Sequence, residues 1–406
     1  MNQNALTLIA VIRDEQTDTL TSLLKEKRED LNAALKSIGT VHYARFVIID
    51  STTINNEVLP PQLVLSSNFD GEIETHIQDL AKYLGPLLDQ IYANIVNYTG
   101  ADRAAFLRSI RIKEAAFYIG APGRSVKDIA NEKALHYEIA NRLQKGNWSG
   151  KSAKEIHEAI QQQVLSDKQF EWAKDKIETP GIRWVGLILF GLVLLALSPV
   201  IVLWAVYMQV FHERFDKPLG LTPNQLDDNL LNKMQADEDF VYQNQFSQII
   251  DMKPGKARLI TVNALYLFAK MLIKLVFVKG KLMGIPTIHF ARWVQVNDKK
   301  RMLFFSNFDG SWTQYLGDFI DKSGWGLTGI FGNTKNFPRA FLLVLKGAYN
   351  QRQFLAWARY TQIQTQFWYA DDTSQSIKNV NNNTIIRNEL SSSLSEKQAK
   401  LFLTRI

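Results

Sequence analysis

The 406-residue sequence contains no cysteine. That excludes disulfides, Cys-based zinc sites, iron–sulfur clusters and thiol nucleophiles. It also has no Gly-rich phosphate loop, no G-x-S-x-G elbow and no H-E-x-x-H, so the nucleotide-binding, hydrolase and metalloprotease classes marked by those motifs are excluded. Its six histidines form no recognised metal motif; Glu72 and His76 have i, i+4 helical spacing, which occurs often by chance. The first apolar run, Ala5–Ile12, has no basic start and leads into Arg13-Asp14-Glu15. It does not read as a secretory leader, and a cytoplasmic location is expected for the soluble parts.

Two further absences are local. Trp184–Met208 is a run of 25 residues with no charged side chain. Met252–Asn297 holds no acidic residue, yet carries Lys253, Lys256, Arg258, Lys270, Lys274, Lys279, Lys281 and Arg292. Those eight charges exceed the chain's net charge of +7, so the remainder is close to neutral. A local basic patch points to an anionic surface.

The uncharged run is longer than the roughly 20 apolar residues that span a bilayer. Pro199 divides it, and proline removes a helix hydrogen bond. The halves, Trp184–Leu197 and Val200–Phe211, are then each too short to cross alone. The expectation is a bent apolar hairpin dipping into one leaflet, with Trp184, Leu189, Leu194, Pro199, Leu203 and Trp204 in contact with lipid. Downstream, Asn263, Lys270, Lys274 and Lys281 are spaced 7, 4 and 7 apart in an otherwise apolar stretch. That is a narrow basic stripe on a helix suited to an anionic headgroup zone, with Lys270 and Lys274 as membrane-binding residues.

The chain is also self-similar. VHYARFVIID (Val41–Asp50) matches IHFARWVQVN (Ile288–Asn297), and LVLSSNFDG (Leu63–Gly71) matches MLFFSNFDG (Met302–Gly310). AAFLRSIR and RQFLAWAR follow, then SVKDIAN (Ser125–Asn131) and SIKNVNN (Ser376–Asn382), in the same order and 239 to 251 residues apart. The first copy reads β (Ala5–Ile12), α (Glu15–Ser37), β (His42–Asp50), β (Leu63–Phe69), α (Glu72–Ile95), β (Glu114–Ile119), which is the ferredoxin-like order. In the second, Gln245–Asp251 opens, the lysine-striped helix follows, His289–Asn297 and Met302–Phe308 form the central hairpin, and Phe341–Leu345 and Gln364–Tyr369 add strands.

The expected architecture is α+β: tandem ferredoxin-like repeats forming a pseudo-dimeric α+β barrel, with an apolar membrane-inserting helical hairpin between them. The expected divisions are repeat one (1–150), a helical linker (151–183), the apolar hairpin (184–211), an acidic helical connector (212–244), repeat two (245–390) and a tail (391–406). A hairpin keeps both repeats on one side of the bilayer, where they can pair; a single span would separate them.

HFARW, SNFDGSW, Lys253-Pro254-Gly255 and the downstream FWYADD resemble a bacterial family of membrane-associated proteins. The architecture is similar to the dimeric α+β barrel superfamily, which includes Dyp-type peroxidases and chlorite dismutases. That resemblance implies haem as a candidate cofactor. Dyp-type enzymes carry GxxDG with a distal acid; here both copies read SNFDG, so only Asp70, Gly71, Asp309 and Gly310 match, and no proximal ligand carries over.

Strand alternation puts Ile288, Phe290, Arg292, Val294 and Val296 on one face, and Val41, Tyr43, Arg45, Val47 and Ile49 on its counterpart. Each arginine then lies on an apolar face and needs a partner. Asp70 and Asp309, ending the neighbouring strands, are the expected partners, assisted by Asn68 and Asn307. Two readings stand: a structural Arg–Asp pair, or a site for a headgroup or carboxylate. His42 and His289 fall on the opposite face, and His289 is a candidate for proton transfer or for haem iron; no other metal is expected. Arg292, Asp309 and His289 are the candidate catalytic residues. The expected function is a monotopic protein on the cytoplasmic face of the membrane. It would bind or modify a hydrophobic, acidic small molecule or lipid between the repeats, with anionic membrane lipid and no nucleic acid as partner. A haem-dependent peroxidase-like oxidoreductase and a non-enzymatic membrane scaffold are the alternatives.

Overall fold

The computed structural model describes residues 2–54, 56–221, 225–236, 238, 241–278 and 280–406. Part of the expected connector at 212–244, and Lys279, lie outside them. The first half opens with strand β1 (Gln3–Val11), helices α1 (Thr17–Glu26) and α2 (Arg28–Ile38), strands β2 (Val41–Ile49) and β3 (Gln62–Asp70), and helix α3 (Ile73–Tyr83). Strand β4 (Ala116–Ile119) and helices α4 (Val126–Lys145) and α5 (Ala153–Leu165) follow. The apolar run is helix α6 (Trp184–Phe211). The second half contains β5 (Gln243–Asp251), α7 (Lys256–Leu275), β6 (Ile288–Val296), β7 (Arg301–Asp309), α8 (Trp312–Phe331), α9 (Gln351–Thr361), β8 (Thr365–Ala370), α10 (Ile377–Leu390) and α11 (Glu396–Leu403). Each helix expected in repeat one is divided in two. The second, at 72–95, is interrupted where Gly85-Pro86 starts a new helix, Gly85–Tyr92, with proline in its first turn.

Two antiparallel sheets carry the architecture, in the orders β8-β2-β3-β1, extended by the short strand Arg111–Ile112, and β4-β6-β7-β5. Strands β2 and β3 are buried along both faces. One face packs on α1, α2 and α3 through Leu20, Leu31, Leu35, Phe46 and Leu80. The other meets the second sheet through Ile9, Val47, Val64, Val294, Leu303 and Phe305. A strand covered on both sides buries residues on both faces: β2 is apolar along most of its length, whereas the buried Ser66, Ser67 and Asn68 of β3 are each hydrogen-bonded, to Arg292, His76 and Asn307.

The fourth strand of each half belongs to the other half's sheet. β4 pairs with β6, Ala116 opposite Trp293. β8 pairs with β2, Trp368 opposite Arg45. Both strands exist where the sequence places them, but their period of two carries no record of the partner. Phe341–Leu345 is not a sheet strand: Ala340–Phe341 and Leu345–Lys346 form a separate two-stranded hairpin. Helices α4, α5, α10 and α11 join the halves again in a helical cluster containing Leu135, Ile160, Ile386 and Phe402.

The expected apolar hairpin is one continuous helix instead. Proline 199 lacks the N–H that would bond the Leu195 carbonyl, and the Ser198 hydroxyl donates to that carbonyl at 2.7 Å. The lost bond is replaced locally, so the helix runs through. It is long and apolar enough to cross a membrane, and none of its most apolar stretch is buried.

Candidate functional site

The site begins with a pair of β-bulges. Between β2 and β3, Val41 lies opposite Phe69 and Tyr43 opposite Asn68, so His42 is the extra residue. Between β6 and β7, Ile288 lies opposite Phe308 and Phe290 opposite Asn307, so His289 is the extra residue. A bulge breaks the alternation of side chains. Val41 and Ile288 therefore join the outer cores, while both histidines turn inward. This corrects the expectation that His42 and His289 face away from the arginines. Their rings meet aromatic rings of the opposite sheet: His42 lies 5.3 Å from Phe290, and His289 lies 5.6 Å from Tyr43.

Each inward histidine meets an aspartate. His42 Nε2 is 2.9 Å from Asp70 Oδ1, and His289 Nε2 is 2.7 Å from Asp309 Oδ1. The second carboxylate oxygen accepts the backbone N–H of a helix's first residue, Val126 on α4 or Ile377 on α10, both at 2.8 Å. Helix N-termini offer unpaired N–H groups and a favourable dipole to an anion. The repeated Ser125 and Ser376 are the N-caps of those helices. With the carboxylate ionised, Nε2 carries the proton and Nδ1 is an acceptor. Nδ1 of neither ring has a hydrogen-bond partner among the described residues.

The two pairs flank one cleft of about 460 Å³, including its open mouth. Gln3, Gln243, Tyr43, Phe290, Asp371 and Asp372 share its lining with both histidines. Gln3 and Gln243 hold equivalent places, opposite Asp70 and Asp309 in register. The Tyr43 hydroxyl donates to Gln243 at 2.9 Å. Burial, reinforced by the Asp309, Asp372 and Asp371 charges, pushes the Tyr43 phenol well above its ordinary range. Asp371 pairs with Lys36 and Asp372 with Lys133, each at 2.7 Å. Burial opposes ionisation of Asp372, but hydrogen bonds from Lys133, Ser374 and Gln375 outweigh it and hold the carboxyl below its usual range. Gln3, Gln243, Tyr43 and Asp372 were not among the expected site residues. The repeat contained a signal for the glutamines, but no short motif marks either one.

The arginines do something else. Arg45 donates to the carbonyls of Phe246 and Ser306 at 2.9 and 3.0 Å, and to Ser247 and Asn307. Arg292 donates to the Leu6 carbonyl at 2.8 Å and to Thr7 and Ser66. Both guanidinium groups lie over the Phe305 ring, at 5.3 and 5.8 Å. Asn307 also donates to Asn68 at 3.3 Å. Each arginine thus ties one sheet to the other, and neither pairs with Asp70 or Asp309. The register explains this correction: Arg45 lies opposite Ser66, four residues from Asp70, about 13 Å along the strand. Burial, and for Arg45 the second guanidinium, lowers their basicity, to about 9 for Arg45 and about 10 for Arg292.

His76 is a packing residue. It stacks on Phe69 with centroids 3.7 Å apart and bonds Ser67 at 2.8 Å. Its counterpart Tyr315 stacks on Phe308 at 3.9 Å and bonds Ser306 at 2.7 Å. Among the described residues no cluster of three or more acidic or histidine side chains could hold a metal ion. A haem does not fit: the Tyr43 and Phe290 rings lie against the imidazoles where a porphyrin plane would have to pass.

Helix α6 lies antiparallel on α7. The Arg183 N–H bonds the Leu275 carbonyl, Phe190 meets Phe268 at 5.8 Å, and Trp204 donates to Thr261 at 2.9 Å. Its C-terminal end is held by Gln209, which accepts the Leu342 N–H. Leu194 and Trp204 are half-buried on the side facing the body, whereas Trp184, Leu189, Pro199 and Leu203 are exposed. Of the basic patch, Lys256, Lys270, Lys274 and Lys281 are exposed. Lys253 and Arg258 instead pair with Asp216, each at 2.8 Å. Compared with known proteins, the chain matches no family model, no characterised protein and no solved structure.

Proposed function

We propose that this is a monotopic membrane protein that binds or modifies a hydrophobic, acidic small molecule or lipid between its two repeats. The observation that carries the reading is the duplicated His–Asp pair flanking one cleft. Arg45 and Arg292 are engaged with neutral acceptors, so recognition of an acid falls to the imidazoles. A ligand carboxylic acid can give its proton to Nδ1 and pair with the resulting imidazolium, while Tyr43, Phe290, Ala121 and Val380 accommodate apolar parts. In the fuller reading the repeats make a pseudo-dimeric α+β barrel. The reciprocal exchange of β4 and β8 and the sheet-to-sheet packing support it.

The membrane reading draws on α6. Both its ends dock on the second repeat, and the two sheets share one core, so the helix lies along the body rather than separating the repeats. Its exposed apolar side then rests in one leaflet. The neighbouring exposed lysines favour anionic lipid and the cytoplasmic side, where basic residues concentrate beside membrane segments.

Mass spectrometry of small molecules extracted from the full-length, detergent-purified protein tests the binding reading. An apolar acid is expected with the wild type and lost from the His42→Asn/His289→Asn variant, with near-UV circular dichroism unchanged. A molecule retained by the variant, or none in either protein, would refute it and favour a scaffold.

A further inference from the structure

We infer a second site, for the tail of a membrane lipid: the cavity between α7 and α8 takes one acyl chain of an anionic phospholipid, with the headgroup at Lys270 and Lys274. The inference rests on the membrane-surface reading above, but not on the His–Asp cleft. The cavity is a half-open groove with about 50 Å³ of enclosed space, so a chain would lie along it rather than be swallowed by it, and its walls are aliphatic, aromatic, thioether or glycine throughout. Small residues on both helices, Ala269 on α7 and Gly326 and Gly329 on α8, are part of its lining. Beside Gly326 the space is taken by the flexible end of Met283, whose terminal carbon lies 2.4 Å from where a Cβ would stand and can swing aside for an incoming chain. Protein interiors ordinarily close such gaps, because an unfilled apolar cavity forfeits contacts on every wall. An apolar chain supplies those contacts; water does not.

The position of the cavity identifies its occupant. Phe268, in its wall, touches Phe190 of the apolar helix α6 at 5.8 Å. On its other side it meets Trp325 at 6.2 Å, and Trp325 is itself partly exposed. The space therefore adjoins the surface that α6 presents to lipid, where acyl chains are the apolar material at hand. Charge completes the argument. Lys270 and Lys274 directly follow the wall residues Ala269 and Ile273, and Lys281 directly precedes the wall residues Leu282 and Met283; all three lysines are exposed. The α7 side carries no acidic residue between Met252 and Asn297, and on the α8 side Asp318, next to the wall residue Phe319, is paired with Lys322. A tail in the cavity thus brings its headgroup to a basic rim on both sides.

The probe is phosphatidylglycerol with a photoactivatable acyl chain, in vesicles bound by the full-length protein. Crosslinked peptides are mapped by mass spectrometry, and binding is followed by flotation. Label is expected on 256–283 and 319–330 as well as on α6. Ala269→Trp should remove the label from the first two segments and leave both flotation and α6 labelling intact, with the far-UV circular dichroism and thermal midpoint of the wild type showing that the variant is folded. Ile273→Trp, filling the same space from the next turn, should do the same. Lys270→Ala/Lys274→Ala should reduce cavity labelling severalfold in phosphatidylglycerol but not in phosphatidylcholine. Label confined to α6, or cavity label unaffected by both tryptophans, would overturn the site while leaving the membrane reading intact. Failure of the wild type to float would overturn both. The His42→Asn/His289→Asn variant should label as the wild type does, so loss of the cleft ligand is read separately.

Discussion

The two halves have nearly the same inner face and different outer faces. Inside, the arginine, the asparagine and the bulged histidine with its aspartate occur in both sheets. Outside, repeat one is covered by α1 and α2, whose exposed positions include Lys25, Glu26, Glu29 and Asp30. Repeat two is covered by α7, which exposes Ile260 and Leu267 along with its lysines and carries α6. The inner residues must satisfy buried polar groups against the other copy, so a change in one is constrained by the other. The outer helices have only to cover a sheet, and each can suit a different surroundings.

Replacing residues 184–211 by a Gly/Ser linker of equal length gives the largest expected effect. Removing the outer difference in this way should move the protein from the membrane pellet to the soluble fraction in cell fractionation. If it stays in the pellet at high salt, α7 holds the membrane unaided. Next come the sheet ties. Arg45→Leu and Arg292→Leu should each cost about 3–5 kcal/mol in urea unfolding, because buried acceptors are left unpaired. Arg45, with more acceptors, should cost more. Equal losses would mean that the shared Phe305 platform dominates.

His76→Tyr makes the first copy match the second at that position. Burial lowers His76 to about 3 from its ordinary 6.5. A histidine depressed in the folded state binds its proton more readily when unfolded. Stability should therefore be intact above pH 6.5 and fall as pH drops from 6.5 towards 3, by at most about 1.4 kcal/mol per pH unit. The tyrosine variant should lose that component of the slope in unfolding measured across this range. An unchanged slope would show that other groups set the acid sensitivity. The smallest effect is expected from Ser198→Ala, which leaves the Leu195 carbonyl without its substitute donor. The cost should be about 1 kcal/mol, read as a lowered thermal midpoint in detergent.

What the sequence determined by itself was local or repeated. The uncharged run, the central hairpins and the existence of β4 and β8 follow from composition and short-range period. The duplication brought Asp70, Asp309, His42 and His289 to notice, since unrelated segments do not repeat motifs in order. Tertiary structure decided their relations. Alternation predicts where a side chain points only while the ladder is regular, and one bulge in each copy turned the histidines from the outer face to the aspartates. Register, set between strands rather than within them, kept each arginine away from its expected partner and gave it carbonyls of the opposite sheet. The exchange of β4 and β8 was invisible for the same reason: a strand's pattern records that one face is buried, and the sheet that buries it is chosen by contacts hundreds of residues away.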